Sequence, residues 1–189
     1  MSNQASREAH WPQDAIFTVG HSTLPIERFV KLLKTYGIKQ LVDIRTIPAS
    51  RHNPQFGGDA LARSLTMAHI KYAHMPALGG LRRARKDSIN TGWRNSSFRG
   101  YADYMQTAEF TRAVEALILL GQKKRTAIMC AEAVPWRCHR SLVADALNVR
   151  GVPVIEILSD ASYRPHKLTS FARVEGTSIV YPSEQPNLL

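Results

Sequence analysis

The chain has 189 residues and a mass of 21.2 kDa, enough for one domain whose core removes roughly two-thirds of the unfolded surface from water. Its 44% hydrophobic and 8% aromatic content exclude a wholly disordered, collagen-like or low-complexity chain. Twenty-five Lys and Arg against fifteen Asp and Glu leave a net charge of +10, and seventeen of the cations are Arg, whose planar fork matches phosphate and carboxylate; an anionic partner is expected.

Residues 1–14 are polar and unpatterned and read as a tail. Ile16 to Val19 is a short apolar run closed by Gly20, and Ile26, Phe29, Val30 and Leu33 follow at helical spacing, with Pro25 in the first turn and Gly37 as terminator. Leu41 to Ile44 predicts the next strand. A second helix is expected with Asp59 as N-cap and Ala62, Leu65 and Ala68 or His69 on one face, then a strand over 70–75. Residues 78–100 break the pattern with Gly79, Gly80 and six basic residues, which predicts a long mobile loop. Thr107 caps a helix carrying Phe110, Val114, Leu117 and Ile118 and ended by Gly121. A strand over 126–130, a helix over 138–150 and a strand over 154–158 complete the series, and residues 175–189 read as a second tail apart from the short apolar Ile179–Tyr181.

Strands alternating with helices over 15–174 predict one α/β domain of three layers, with a mainly parallel central sheet of about five strands. Two cysteines are too few for a disulfide framework and the first ten residues hold no apolar run, so a cytoplasmic protein is expected. The longest apolar stretch, around Val114 to Leu120, falls far short of the ~20 residues of a membrane span, so no membrane partner is expected.

In an open parallel sheet, ligands sit outside the carboxyl ends of the strands, so the residues closing each strand should converge. Here those are His21 with Ser22, Asp43 with Arg45, Gly79 with Gly80, Cys130 with Glu132, and Ser159 with Asp160. The densest cluster runs from Cys130 through Glu132, Trp136, Arg137, Cys138 and His139 to Arg140. A helix starting near Arg137 or Cys138 would favour an anion at its N-terminus and lower the pKa of a nearby thiol. Against this, a cysteine at a strand end is more often packing than chemistry. Six residues separate Cys130 from Arg137 where the cysteine phosphatase loop has five, and Pro135 and Trp136 suit a rhodanese-type backbone cradle poorly. A metal reading draws on Cys130, Glu132, Cys138 and His139, with His21 or Asp43. Cys138 and His139 are adjacent and would point apart, so no metal ligands and no cofactor are expected.

Ser22 is read as a helix cap, and His21 equally as a functional or a satisfied histidine. Asp43 and Arg45 share one side of an extended chain, as an ion pair or as ligand-facing groups. Ser50 and Arg51 lie in a rigid polar loop at the same edge. Arg82, Arg83, Arg85, Trp93, Arg94 and Arg99 combine charge with an aromatic ring and are candidates for nucleic acid, or else a solvated basic loop.

Several of these pieces occur together: Gly20-His21-Ser22, Asp43-Ile44-Arg45 with Ser50-Arg51, Tyr72 before Leu78-Gly79-Gly80, Tyr104-Met105, and Cys130-Ala131-Glu132 with Cys138-His139-Arg140. In this order, from about Ile16 to Asp160, the chain resembles the domain-of-unknown-function 488 family. The resemblance implies a single α/β domain with the strand-end groups as motif positions, and implies no reaction. The expectation is an enzyme acting on a phosphate-bearing substrate, a nucleotide or nucleic acid. Arg45, Ser50, Arg51, Arg137 and Arg140 would hold the anion, and Cys130, Glu132, His21, His139 and Asp43 would carry the chemistry. A non-catalytic nucleotide or nucleic-acid binding module is the competing reading, and a metal-dependent protein the third.

Overall fold

Alternate residues of the buried strands meet two different sets of helices. In the computed structural model, which describes residues 11–183, the parallel strands β1 (Ile16–Gly20), β2 (Gln40–Asp43), β3 (Lys71–His74), β4 (Thr126–Cys130) and β5 (Val154–Ile157) lie in the order β3-β2-β4-β1-β5. Phe17, Val19, Leu41, Ala127 and Met129 pack on one face against α1 (Ile26–Thr35) and α2 (Gly58–Met67), through Phe29, Leu33, Leu61 and Leu65. Ile16, Val42, Ile128, Cys130 and Val154 pack on the other against α3 (Ser96–Tyr104), α4 (Ala108–Lys123) and α5 (Arg140–Asn148). This is the period-two alternation of a sheet covered on both sides, and the expected three-layer α/β architecture is present.

The order of the strands creates the site. The chain leaves β1 past β4 to β2 and on to β3 across the α1 and α2 face, then returns past β2 to β4 and past β1 to β5 across the other. Right-handed crossovers require opposite directions of travel to use opposite faces. Adjacent strands β1 and β4 therefore send their chains to opposite sides, and a crevice opens above their carboxyl ends.

Three further strands lie beyond the expected five, one in the same sheet and two in a separate one. Antiparallel β6 (Tyr163–Pro165) adds a sixth strand beside β5, and β7 (Arg173–Glu175) pairs with β8 (Ser178–Val180) in a hairpin. The tail boundary at residue 175 is thereby corrected, since Tyr181 is fully buried and its hydroxyl donates to Asp145 at 2.9 Å. Trp11 likewise belongs to the fold, edge-on to Phe17 at 5.4 Å and to Tyr163 at 4.5 Å; the rest of the expected N-terminal tail, up to residue 10, lies outside the described residues. Among the described residues no helix is long and apolar enough to cross a membrane.

The remaining differences have local causes. Gly57 rather than Asp59 caps α2, with Asp59 in the first turn beside the positive helix end. Gly121 lies inside α4 and does not end it: a Cβ there would stand 3.0 Å from Ile16, so the glycine admits the first strand. Helix α5 begins at Arg140, since a 3₁₀ turn over Pro135–Arg137 precedes it and Cys138 is extended. Residues 78–100 include α3, capped by Asn95, whose side chain accepts from the amides of Ser97 and Phe98. The segment before it is fastened by Asp103, which accepts from the Arg85 amide at 2.8 Å, Ser88 Oγ at 2.6 Å and Asn90 Nδ2 at 2.8 Å.

Candidate functional site

The turn from β4 into α5 is built around two close approaches. A Cβ on Gly20 would lie 1.9 Å from the carbonyl oxygen of Glu132, so only glycine lets the loop after β4 lie against the end of β1. The amides of His21 and Ser22 donate to the carbonyls of Cys130 and Ala131 and fix the loop in register. From below, fully buried Arg140 donates from Nη1 to the Glu132 carbonyl and from Nη2 to the Ala133 carbonyl at 2.8 Å. Arg140 is therefore not among the cleft-facing groups; it clasps the backbone of the loop that carries them.

The loop returns Cys138 and His139 to Cys130. Cys138 is extended and His139 helical, so the chain bends sharply between them and the two side chains converge instead of pointing apart. The Cys130 sulfur lies 3.9 Å and the Cys138 sulfur 3.8 Å from His139 Nδ1, and the three atoms lie within 4.8 Å of one another. The other ring nitrogen, Nε2, faces the Ile44 carbonyl at 3.2 Å. A carbonyl only accepts, so Nε2 carries the proton in the neutral ring and Nδ1 offers a lone pair to the thiols. Hydrogen bonding between the two thiols divides their acidities. The bond to Cys138, together with burial, pushes Cys130 up to about 12, while the bond from Cys130 and the Arg140 charge bring Cys138 down to about 7. Tyr101 packs its ring 5.0 Å from the His139 ring, and Gly80 lies against Nδ1 so closely that a Cβ there would come within 2.5 Å.

The ends of β1 and β2 form the opposite wall. Arg45 donates from Nε to Asp43 Oδ1 at 2.9 Å and from Nη2 to Oδ2 at 2.5 Å, and Nη2 also reaches the Phe56 carbonyl at 2.8 Å. Tyr72 donates its hydroxyl to Asp43 at 2.9 Å; burial and that carboxylate raise its pKa. His21 donates from Nδ1 to the Ser22 carbonyl at 2.8 Å, stacks on Phe56 with ring centroids 4.0 Å apart, and presents Nε2 to Arg45 Nη1 at 3.4 Å. Burial first, and then the Arg45 guanidinium, lower its pKa. Asp43 is saturated by Arg45 and Tyr72 and holds the wall in shape.

Between the walls lies a cleft of about 720 Å³, within the range of small-ligand sites. Cys130, Cys138 and His139 share it with His21, Arg45, Ser50 and Glu132, and Arg82, Arg83 and Arg137 stand at its rim. Arg83 and Arg137 are exposed and form no ion pair among the described residues. Arg82 is held over the Tyr104 ring at 3.6 Å and by the Gly79 carbonyl. Arg51 is exposed and lies outside the lining.

The basic loop does not present its tryptophan. Trp93 packs against Phe98 at 4.7 Å, Phe171 at 4.9 Å and Tyr181 at 5.6 Å, and its indole Nε1 is buried with no hydrogen-bond partner among the described residues. Arg99 is bound to the Trp93 carbonyl through Nε and Nη2, and exposed Arg85 pairs with Asp87; Arg94 is exposed. The charge-plus-aromatic pattern is thus largely a packing arrangement. From the sequence, Cys138 enters only the metal reading and Gly80 only as a strand-end glycine, and Tyr101 carries no signal. Cys130 and Cys138 are eight positions apart, a spacing with no regular ligand or catalytic pattern, and only the bend at Cys138 joins them.

The chain matches no curated protein and no solved structure. A family model described as Domain of unknown function DUF488 matches residues 25–147, from the start of α1 nearly to the end of α5. The match covers more than half of the chain, which belongs to the DUF488 family.

Proposed function

We propose that the cleft above β1, β2 and β4 is the active site of an enzyme acting on a phosphate-bearing small molecule, a nucleotide or part of one. The observation that carries this reading is the meeting, in one cleft, of the Cys130–Cys138–His139 cluster with the rim cations Arg83 and Arg137, which form no ion pair among the described residues. Guanidinium groups recognise phosphate by charge-assisted hydrogen bonds, and a cluster of sulfur and nitrogen lone pairs beside them is chemistry that anion storage does not need.

The roles divide by position. Arg83 and Arg137 receive the phosphate, with Ser50 in the lining of the same cleft. Glu132, exposed at the rim, is the carboxylate available for proton transfer, because Asp43 is fully engaged. His21 and Arg45 fix the floor of the β1 and β2 wall. A polynucleotide is less favoured than a nucleotide-sized ligand, because Trp93 is packed away from solvent-exposed stacking.

The test is ³¹P NMR of a panel of nucleotides, phosphate monoesters and diesters incubated with the full chain and with His139→Gln and Glu132→Gln. At least one phosphorus resonance should convert in the presence of the wild type and stay unchanged with both folded variants. Binding of the same compounds without conversion of any would replace the enzyme with a non-catalytic binding module.

A further inference from the structure

We infer that Cys130, Cys138 and His139 form the protein's share of a zinc site whose fourth position opens into the cleft. The inference deepens the proposed function by naming an ion at the same site, and it rests on the geometry of the three side chains. Two thiolate sulfurs and an imidazole nitrogen are the donor set that selects zinc among abundant divalent cations over magnesium or calcium.

The distances fit without rearrangement of the backbone. Zn–S bonds of about 2.3 Å and Zn–N bonds of about 2.0–2.1 Å at tetrahedral angles set ligand edges of about 3.6 Å for S···N and about 3.8 Å for S···S. The observed S···N edges are 3.9 and 3.8 Å, and the three atoms lie within 4.8 Å of one another. Small side-chain rotations bring them onto one centre.

The surroundings match what a metal-bound imidazole requires. Ligating histidines almost always donate their second N–H to a carbonyl or carboxylate, which fixes the tautomer. His139 does this through Nε2 to the Ile44 carbonyl at 3.2 Å, leaving the Nδ1 lone pair on the side of the sulfurs. Gly80 keeps that side free, since a Cβ would sit 2.5 Å from Nδ1. Buried Arg140 holds the loop joining the two cysteines.

Three protein ligands from this chain and an opening to the cleft distinguish the arrangement from a closed structural site, which has four. No further His, Cys or carboxylate joins the group among the described residues. The open position faces the space that also holds Glu132 and Arg137. A water or a phosphoryl oxygen would take it, and a zinc ion there acts as a Lewis acid or lowers the pKa of bound water.

The experiment uses the full chain, purified without chelators. Zinc content by mass spectrometry should be one ion per chain, as one group of three ligands demands. After removal of zinc, Co²⁺ should give the intense thiolate-to-metal charge-transfer and tetrahedral d–d bands. Competition with a chromophoric chelator should show zinc affinity falling by more than about 100-fold in Cys138→Ser and in His139→Gln. If either variant fails to fold, the wild type and Gly80→Ala decide: bound zinc should slow the reaction of Cys130 and Cys138 with a thiol reagent, and Gly80→Ala should weaken zinc. Substoichiometric zinc, Co²⁺ spectra without thiolate bands, or thiol reactivity unchanged by zinc would overturn the inference. Nucleotide binding by calorimetry in excess chelator separates the two claims. Binding that persists while no metal is taken up leaves the phosphate reading standing and removes the zinc, whereas metal uptake without nucleotide binding under any condition does the reverse.

Discussion

Arg140, at the start of α5, reaches back along the loop to donate to the carbonyl of Glu132, the residue two positions beyond the end of β4. The first helical residue after the loop thereby holds the loop's own backbone, and with Gly20 on the other side it sets where Cys130, Cys138 and His139 meet. Replacing Arg140 by Met leaves the carbonyls of Glu132 and Ala133 without their cationic donor. A charge-assisted hydrogen bond contributes about 1.5–3 kcal/mol, while relief of the buried charge and its unpartnered Nε offsets part of the loss. Arg140→Met should lower unfolding free energy by about 2 kcal/mol in urea titration and disperse the chemical shifts of His139; Arg140→Lys, with one donor head, should fall between.

Asp43 and Arg45 form a buried fork, 0% and 7% exposed, and removing one partner leaves the other charge uncompensated in the wall of the cleft. Breaking such a pair costs about 3–5 kcal/mol, yet replacing both partners by apolar groups is often close to neutral. Asp43→Ala should therefore destabilise more than the Asp43→Leu, Arg45→Met double variant. A double-mutant cycle by chemical denaturation measures the coupling, and additive single effects would show that the pair contributes nothing as a pair.

The C-terminal strap is fastened by His166. Its Nδ1 donates to Glu156 at 2.7 Å and its Nε2 to Asp145 at 2.8 Å, while Arg164 approaches Glu156 at 2.6 Å and Thr169 and Tyr181 donate to Asp145. Burial pulls the His166 pKa down, but the hydrogen bonds to Asp145 and Glu156 prevail and raise it to about 9 from 6.5. A pKa raised on folding contributes stability that is complete below the unfolded value and lost as pH rises through the folded one. The difference in unfolding free energy between wild type and His166→Gln should thus shrink by about 2–3 kcal/mol from pH 6.5 to pH 9. A pH-independent difference would show that the ring is neutral in the folded protein.

The strands and helices of the sheet were legible in the sequence because they follow from buried runs and amphipathic spacing: Ile16 to Val19 and the stripe of Phe110, Val114 and Leu117 read correctly, and Leu41 to Ile44 is one residue late against Gln40–Asp43. The convergence of the β1, β2 and β4 ends on one crevice was legible for the same reason, whereas Ser159 and Asp160 after β5 lie outside its lining. Four features were hidden. The cluster of Cys138 with His139 depends on a change of backbone conformation at a single residue, which no periodicity encodes. Arg140 looks like an anion ligand by composition, and only its burial reveals a backbone clasp. The basic segment after Gly80 reads as a free loop since its anchor, Asp103, lies more than a dozen residues downstream. The hairpin of β7 and β8 is too short and too exposed to leave an alternating pattern, apart from the buried Ile179.

Calorimetric titration of ribonucleoside monophosphates and of their parent nucleosides into the wild type, Arg83→Ala and Arg137→Ala tests the phosphate cleft most directly. Loss of one charge-assisted hydrogen bond weakens binding about tenfold or more. Saturable binding of at least one monophosphate is expected, with no binding of its nucleoside and with that loss in each arginine variant. Equal affinity for nucleotide and nucleoside, or nucleotide binding unmoved by both substitutions, would contradict it.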